Sequence, residues 1–442
     1  MKIQLSDHFT YGKLFRFTLP SIAMMIFTSI YGVVDGLFVS NYVGKTPFAA
    51  VNFIFPFIMV LGAFGFMFGT GGSALVSMTM GTGDLPKANR LFSMLTYVSI
   101  GVGVVISVLG ILFIRPIAEW LGAEGELLEL CVLYGRILLI GNPFFMLQMQ
   151  FQSFFVTAEK PQLGLVDSLA AGITNMVLDA LFVAAFDWGI VGAAAATVLS
   201  QVVGGLYPLV YFARSNPSLL RLTRWSYDGR ALVKTCTNGS SELMSNISMS
   251  LVGMLYNVQL MKYAGENGVA AYGVLMYVNM IFIGTFIGYS VGTAPVIGFH
   301  YGAGNHGELK SLRKRSLVII SGFSLVMLAL GQLLARPLSR LFVGYDAQLM
   351  ELTLEGFRIF SFSFLFAGLA IFGSGFFTAL NNGLVSAVIS FLRTLVFQIA
   401  AILLLPLIWG VDGIWISIIV AEAMAALACL VFMLALRKRY KY

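Results

Sequence analysis

Residues 81–90 read GTGDLPKANR, and residues 302–311 read GAGNHGELKS. Each is a Gly-x-Gly turn that opens a short polar stretch between two long apolar runs. The two lie 221 residues apart, and the same spacing recurs outward in both directions. Tyr42 and Gly44 fall on Tyr263 and Gly265, and Arg115-Pro116 falls on Arg336-Pro337. Thr157-Ala158 falls on Thr378-Ala379, and Trp188-Gly189 with Gly192 falls on Trp409-Gly410 with Gly413. Half of the 442 residues is 221, so the chain reads as one half followed by its copy, without a gap from the first apolar run to the sixth.

The class of protein follows from composition. Hydrophobic residues make up 58% of the chain and charged residues 11%, against about 25% charged in soluble proteins. The mean hydropathy of +0.88 is too high for a surface in contact with water. About 20 apolar residues cross a bilayer as a helix. Twelve such runs lie near 14–38, 48–80, 91–114, 132–157, 163–186 and 189–213, then near 235–261, 269–300, 316–335, 356–380, 384–408 and 411–436. The junction at Asn381-Asn382-Gly383 is the least sharply marked. The expected fold is an all-α integral membrane protein of 12 transmembrane helices in two six-helix bundles. Six spans per half give both halves the same orientation, so their pseudo-twofold axis runs along the membrane normal. The expected units are an N-terminal lobe over 1–213, a cytoplasmic linker over 214–234 and a C-terminal lobe over 235–442. Cys131, Cys236 and Cys429 have no metal or redox spacing and read as buried small hydrophobes. The polar start MKIQLSDHFTYGK runs directly into a full-length span, so the first helix is expected to be retained.

The net charge of +7 does not indicate nucleic acid, because the charges sit in loops between spans. With the N-terminus placed inside, nineteen of the 27 Lys and Arg are cytoplasmic, from Lys2 and Lys13 through Arg221 and Lys314 to Lys441. Seven are outside, among them Lys45 and Lys262, and Arg393 lies within a span. The excess of basic residues in cytoplasmic loops then puts both termini in the cytoplasm.

A duplicated chain carries its own control, since positions where the halves differ in chemistry are candidates for function. Asp35 in the first span pairs with Tyr256, and Asp179 in the fifth pairs with Ala400. Asn175 pairs with Val396, and Thr197 with Ile418. An ionisable group among hydrocarbon is costly and by default marks an ion or substrate path. Tyr31 and Asp35 share one helix face, as do Asn175 and Asp179. Oxygen ligands of this kind suit Na⁺, and two neighbouring carboxylates repel and so hold a proton between them. The expected cation site is Asp35, Asn175, Asp179 and Thr197.

These features resemble the multidrug and toxic compound extrusion (MATE) family, over nearly the whole chain. That family's first helix bears a bend-forming proline, then a tyrosine and an aspartate, matched by Pro20, Tyr31 and Asp35. Its fifth helix bears an asparagine and an aspartate one turn later, matched by Asn175 and Asp179, and its sixth a threonine, matched by Thr197. The resemblance implies efflux of drug-like organics, coupled to Na⁺ or H⁺, without a further cofactor. One branch of the family carries carboxylates in the seventh and tenth helices instead. Here the tenth span has none and the seventh has only Glu242, near its cytoplasmic end, so the chain resembles the branch with the first-lobe site.

An adaptable wall for greasy substrates suits Met and aromatic side chains. Met24, Tyr31 and Tyr256 are such candidates. The amides Gln148, Gln152 and Asn246 are others, being expensive if they face lipid; Asn257, Asn279 and Gln398 qualify similarly. Arg393 is expected to snorkel to the cytoplasmic surface, Glu422 to line the cavity, and His300 and His306 to be solvated beside the Gly-rich turn. The expected partners are small organic substrates and the lipid bilayer, with no nucleic acid and a monomeric state. The expected location is the cytoplasmic membrane of a bacterium or archaeon. A flippase for a lipid-linked precursor is the alternative within the same superfamily; it calls for a strongly cationic cavity. A membrane enzyme lacks support, since no metal spacing and no phosphate loop with a nearby Lys is present. A scaffold gives no reason for Asp35 and Asp179.

The topology is directly testable. In a background without the native cysteines, a membrane-impermeant thiol reagent on intact cells should label a cysteine placed at Lys262 and spare one placed at Arg221. The reverse pattern contradicts the orientation.

Overall fold

The computed structural model describes residues 3–224 and 226–442; Met1, Lys2 and Trp225 lie outside it, and with them one basic residue of the charge count and part of the linker. No strand occurs among the described residues. Twelve helices follow in order. The first half holds α1 (Tyr11–Tyr42), α2 (Lys45–Gly81), α3 (Leu85–Trp120), α4 (Gly125–Thr157), α5 (Pro161–Ala185) and α6 (Gly189–Ala213). The second holds α7 (229–264), α8 (266–302), α9 (His306–Val343), α10 (Ala347–Ala379), α11 (Gly383–Leu404) and α12 (Pro406–Tyr440). Helices α7 and α8 run on from one another and are separated by the non-helical backbone of Gly265, at φ 64° and ψ −155°.

The duplication is written into the backbone. Gly44 and Gly265, Gly83 and Gly304, and Gly189 and Gly410 all have positive φ, where a side chain is strained and glycine is not. After the second pair, Asp84 and Asn305 cap α3 and α9 alike, each accepting a bond from the backbone N–H three residues on. The spacing is not perfectly constant: the α4–α5 turn has positive φ at Glu159 and the α10–α11 turn at Asn381, 222 residues apart. The sharp turn at Asn381, with Asn382 capping α11, separates those two spans.

The stretch between the bundles is shorter than the linker read over 214–234. Helix α7 is already formed at Gly229, because Asp228 accepts from the Ala231 N–H and caps it. The remainder is strapped across α3: Arg221 N–H donates to Asn89 Oδ1 at 2.7 Å, and Thr223 N–H donates to Ser93 Oγ at 2.7 Å.

The two bundles meet along glycines. A Cβ on Gly71 of α2 would collide with the Thr235 carbonyl of α7, and one on Gly239 with the Met67 carbonyl. Gly81 and Gly302 play the same parts between α2 and α8. Lipid offers no hydrophobic drive for helix association, so such close backbone approach supplies the packing. All these contacts lie near the linker end of the molecule. Continuing the α2–α7 register away from the linker sets Phe55 opposite Leu251 and Asn52 opposite Met254, yet all four are exposed. The bundles therefore splay into a cleft that opens on the side opposite the linker. On the linker side the chain's first residues close the seam. Leu5 and Phe9 are fully buried; Leu5 N–H donates to Glu159 Oε1 of the first bundle at 2.7 Å, and Phe9 N–H donates to Glu308 Oε1 of the second at 2.9 Å. His300 lies under the Phe9 ring and is 2% exposed, not solvated as expected of it; His306 is half-buried.

Arg393 does not reach the surface. Its Nε and Nη2 donate to Glu422 Oε2 and Oε1 at 2.8 and 2.9 Å, joining α11 to α12. Snorkelling fails because a π-turn at Leu392–Val396 resets the helix face around the arginine, and a carboxylate is already within reach inside the bundle. Glu422 is thereby spent on the pair rather than free to line a cavity, and Glu242 lies within electrostatic reach of Arg393. Removing one member of a buried pair costs roughly 3–5 kcal/mol because its partner is left charged and alone. Glu422→Ala should therefore lower the melting temperature of the purified protein sharply, while Arg393→Met with Glu422→Met should recover most of the loss. Equal stability of Glu422→Ala and wild type would contradict the pairing.

Candidate cation site

Asp35 of α1 and Asp179 of α5 lie within hydrogen-bond reach of one another, and Asn175, one turn before Asp179, reaches Asp35 as well. Asp179 is fully buried and Asn175 is 2% exposed. Asp35 Oδ1, both Asp179 carboxyl oxygens and Asn175 Oδ1 accept no hydrogen bond from the protein. None of the ion pairs among the described residues involves either aspartate. Two carboxylates this close in a low-dielectric interior cannot both stay charged unless a cation sits between them or a proton is shared. The free oxygens form a hard-ligand set suited to Na⁺ or H⁺. No group of three His, Cys, Asp or Glu side chains is gathered anywhere among the described residues. Asp179 immediately precedes a π-turn over Ala180–Ala185, a feature that re-aims side chains and is frequent at functional sites.

Two tyrosines complete the surroundings. Tyr31, on the Asp35 face of α1, reaches Gln148 of α4. Tyr134 of α4 is 1% exposed and close enough to both aspartates to feel their charge. The sequence reading passed over Tyr134, since one aromatic in an apolar span carries no signal of its own. It also passed over Asp167 of α5, 3% exposed with Oδ1 unpartnered. Asking the duplicate for its partner would have flagged that residue, because 221 residues on stands Val388.

The other candidates are placed as follows. Thr197 on α6 is half-buried and donates to the Ala193 carbonyl at 3.0 Å, which keeps its oxygen lone pairs available. Gln148 packs on Gly204 of α6, and Gln152, one turn on, is 3% exposed with both amide atoms unpartnered. Met24 is 1% exposed and packs near Gly164 of α5. Asn246 is half-buried and its amide donates to the Glu242 carbonyl at 2.8 Å. Pro20 sits within α1, which continues past it as one helix. Tyr256, the repeat partner of Asp35, is 1% exposed inside the second bundle. Its hydroxyl bonds to Gln398 Oε1 at 2.7 Å and to Ser417 Oγ at 2.8 Å, and its ring stacks on Tyr272 at 5.2 Å. The first bundle thus holds two acids with three unpartnered carboxyl oxygens where the second holds a closed neutral network.

Comparison with known proteins agrees with this architecture. A family model described as MatE matches the chain twice, at residues 20–181 and 243–404, one copy in each bundle, and the chain belongs to that family of multidrug efflux transporters. It is similar to the multidrug export protein MepA of Staphylococcus haemolyticus, at 25% identity over 444 residues covering 99% of this chain and 97% of that one. Among solved structures, a multidrug resistance MATE family transporter of the MOP superfamily in an outward-facing conformation aligns with a TM-score of 0.93, at 24% identity over 98% of this chain and 97% of that one. A MOP superfamily transporter from Pyrococcus furiosus, described as having a binding pocket of reversed polarity that suggests a different function, aligns with a TM-score of 0.91, at 24% identity and 98% coverage of both chains. At such identity these two structures establish the shared fold.

The asymmetry between bundles sets the expected mutant phenotypes. Asp35→Asn and Asp179→Asn should each abolish cation-driven dye efflux in cells at normal membrane levels of protein. Tyr256→Phe, which removes one hydroxyl from a neutral network, should retain most of it. Damage from Tyr256→Phe equal to that from Asp35→Asn would contradict the assignment.

Proposed function

We propose that this chain exports amphipathic, often cationic, organic compounds in exchange for Na⁺ or H⁺, by alternating access of a cleft between its two bundles. The observation that carries the coupling is the close pair Asp35 and Asp179, three of whose carboxyl oxygens accept no hydrogen bond from the protein. A cation bound there offsets one of the pair's two charges and draws α1 and α5 together, with Thr197 of α6 supplying a further oxygen. Tyr31 and Gln148 sit next to that site on the same bundle's interior, with Gln152 one turn further toward the linker side, so a substrate reaching Tyr31 and Gln148 competes with the cation for one volume. Pro20 leaves the Arg16 carbonyl without a helical N–H partner, which lowers the cost of bending α1 when the site fills.

The cleft opens away from the linker, and the linker side is cytoplasmic by the distribution of basic residues. In that arrangement the conformation described is the one that releases substrate outward. The flippase alternative loses ground, because Arg393, within α11, is already neutralised by Glu422 and is not free to hold a phosphate. We take the working unit to be the single chain in the cytoplasmic membrane.

The test is counterflow in proteoliposomes with ethidium as substrate, under separately imposed Na⁺ and proton gradients. One of the two inward gradients should drive ethidium against its own gradient, and dissipating that gradient should stop it. Ethidium movement indifferent to both gradients would contradict cation coupling.

A further inference from the structure

A third carboxylate lies inside the first bundle, on the linker side of the Asp35–Asp179 pair. Asp167 precedes Asp179 by twelve residues on α5, about 18 Å along the axis. It is 3% exposed and its Oδ1 accepts no hydrogen bond. Ser168 beside it is 1% exposed with an unpartnered hydroxyl. The α4–α5 hairpin brings a third group to the same level. Gly164 packs against Phe155 across the hairpin, so one turn further from its tip Asp167 on α5 stands level with Gln152 on α4. Gln152 is as buried as Asp167, and neither of its amide atoms has a partner.

The same register orders the polar groups above this point. One more turn along, Gln148 stands level with Gly172, which packs against Tyr31, and Tyr31 and Gln148 reach each other. Above them come Asn175, Asp179 and Asp35. The bundle interior therefore carries polar side chains in steps of about one helical turn, from the aspartate pair down to Asp167. The second bundle has no carboxylate at this level: Asp167 corresponds to Val388 at the constant spacing, or to Ile389 at the local one-residue slip, and the serines there, Ser374, Ser386 and Ser390, bond to one another. A buried carboxylate with no cationic partner has no packing rationale, since its own duplicate packs with an aliphatic side chain.

We propose that Asp167, with Gln152 and Ser168, forms a second station for the coupling cation, between the Asp35–Asp179 pair and the cytoplasmic side. Asp167 and Gln152 bring a carboxylate and an amide carbonyl to one level, and the Ser168 hydroxyl is next in sequence; oxygens of these kinds suit a hard monovalent cation. If the cation is a proton, the carboxylate holds it directly. The station lies where a cation leaving the aspartate pair must pass on its way inward. It thus sets how fast the pair empties without altering how tightly the pair binds. This inference rests on the cation-coupled reading above.

The experiment compares wild type, Asp167→Asn and Asp167→Glu in proteoliposomes, under a Na⁺ gradient and, separately, a proton gradient. Ethidium is the transported probe. Three readouts are taken: cation-driven ethidium uptake, ethidium–ethidium exchange without any cation gradient, and equilibrium displacement of bound ethidium by the cation in detergent. Asp167→Asn should slow cation-driven uptake about tenfold or more, leave exchange and displacement as in wild type, and be substantially rescued by Asp167→Glu. The station is overturned if Asp167→Asn drives uptake at the wild-type rate. It is overturned equally if exchange and displacement fall in step with uptake, since that is the mark of a residue needed only for packing. Should wild type itself ignore both gradients, the coupled reading fails first, which separates the two failures.

Discussion

The cost of holding a carboxylate in hydrocarbon governs this molecule. A buried charge without a partner costs several kcal/mol, and the two bundles meet that cost in opposite ways. In the second bundle every charged or hydroxylic group near the equivalent position is satisfied internally: Arg393 by Glu422, and Tyr256 by Gln398 and Ser417. In the first bundle Asp35 and Asp179 are left to share a site in which both Asp179 oxygens and Asp35 Oδ1 receive no donor. On the cation-coupled reading proposed above, the second bundle satisfies its buried charge within itself and a cation completes the first.

That local deficit reaches the whole molecule through the seam. Where α2 meets α7 and α8 the backbones touch through Gly71, Gly81, Gly239 and Gly302, with Met67 and Phe68 of α2 packed beside Leu232, Cys236 and Leu243 of α7. Such contacts are close, but they hold the bundles by surface fit, and the helices beyond them diverge. The N-terminal arm adds ties to both sides of the seam, with Leu5 on Glu159 and Phe9 on Glu308. Drawing α1 toward α5 shifts the helix that runs along α8, where Thr18 and Ile22 meet Gly292 and Gly288. On the proposed reading, filling the aspartate pair and repositioning the bundles act on the same helix.

Much of this was legible in the sequence, for a physical reason. Glycines that need positive φ, such as Gly44 and Gly265, leave a mark that survives duplication, so the twelve spans and the repeat could be read from spacing alone. Asp35, Asn175 and Asp179 stood out because their copies are apolar or aromatic. What escaped was whatever depends on two helices meeting. The pairing of Arg393 with Glu422 spans 29 residues and two helices, although a lone arginine and a lone glutamate in neighbouring spans were a hint. Tyr134 and the arm bearing Leu5 and Phe9 looked like ordinary apolar residues. Asp167 was passed over because it lies near the end of its span, where a carboxylate passes for an interfacial one.

The most direct measurement is of linkage in the purified protein. Cation affinity is determined with and without saturating ethidium, and ethidium affinity with and without saturating cation. If both ligands act through the aspartate pair, each must weaken the other by the same factor, roughly 5–150-fold in systems of this kind, and the effect must vanish in Asp35→Asn. If cation and ethidium instead bind independently to wild type, the aspartate pair does not couple them and the account is wrong.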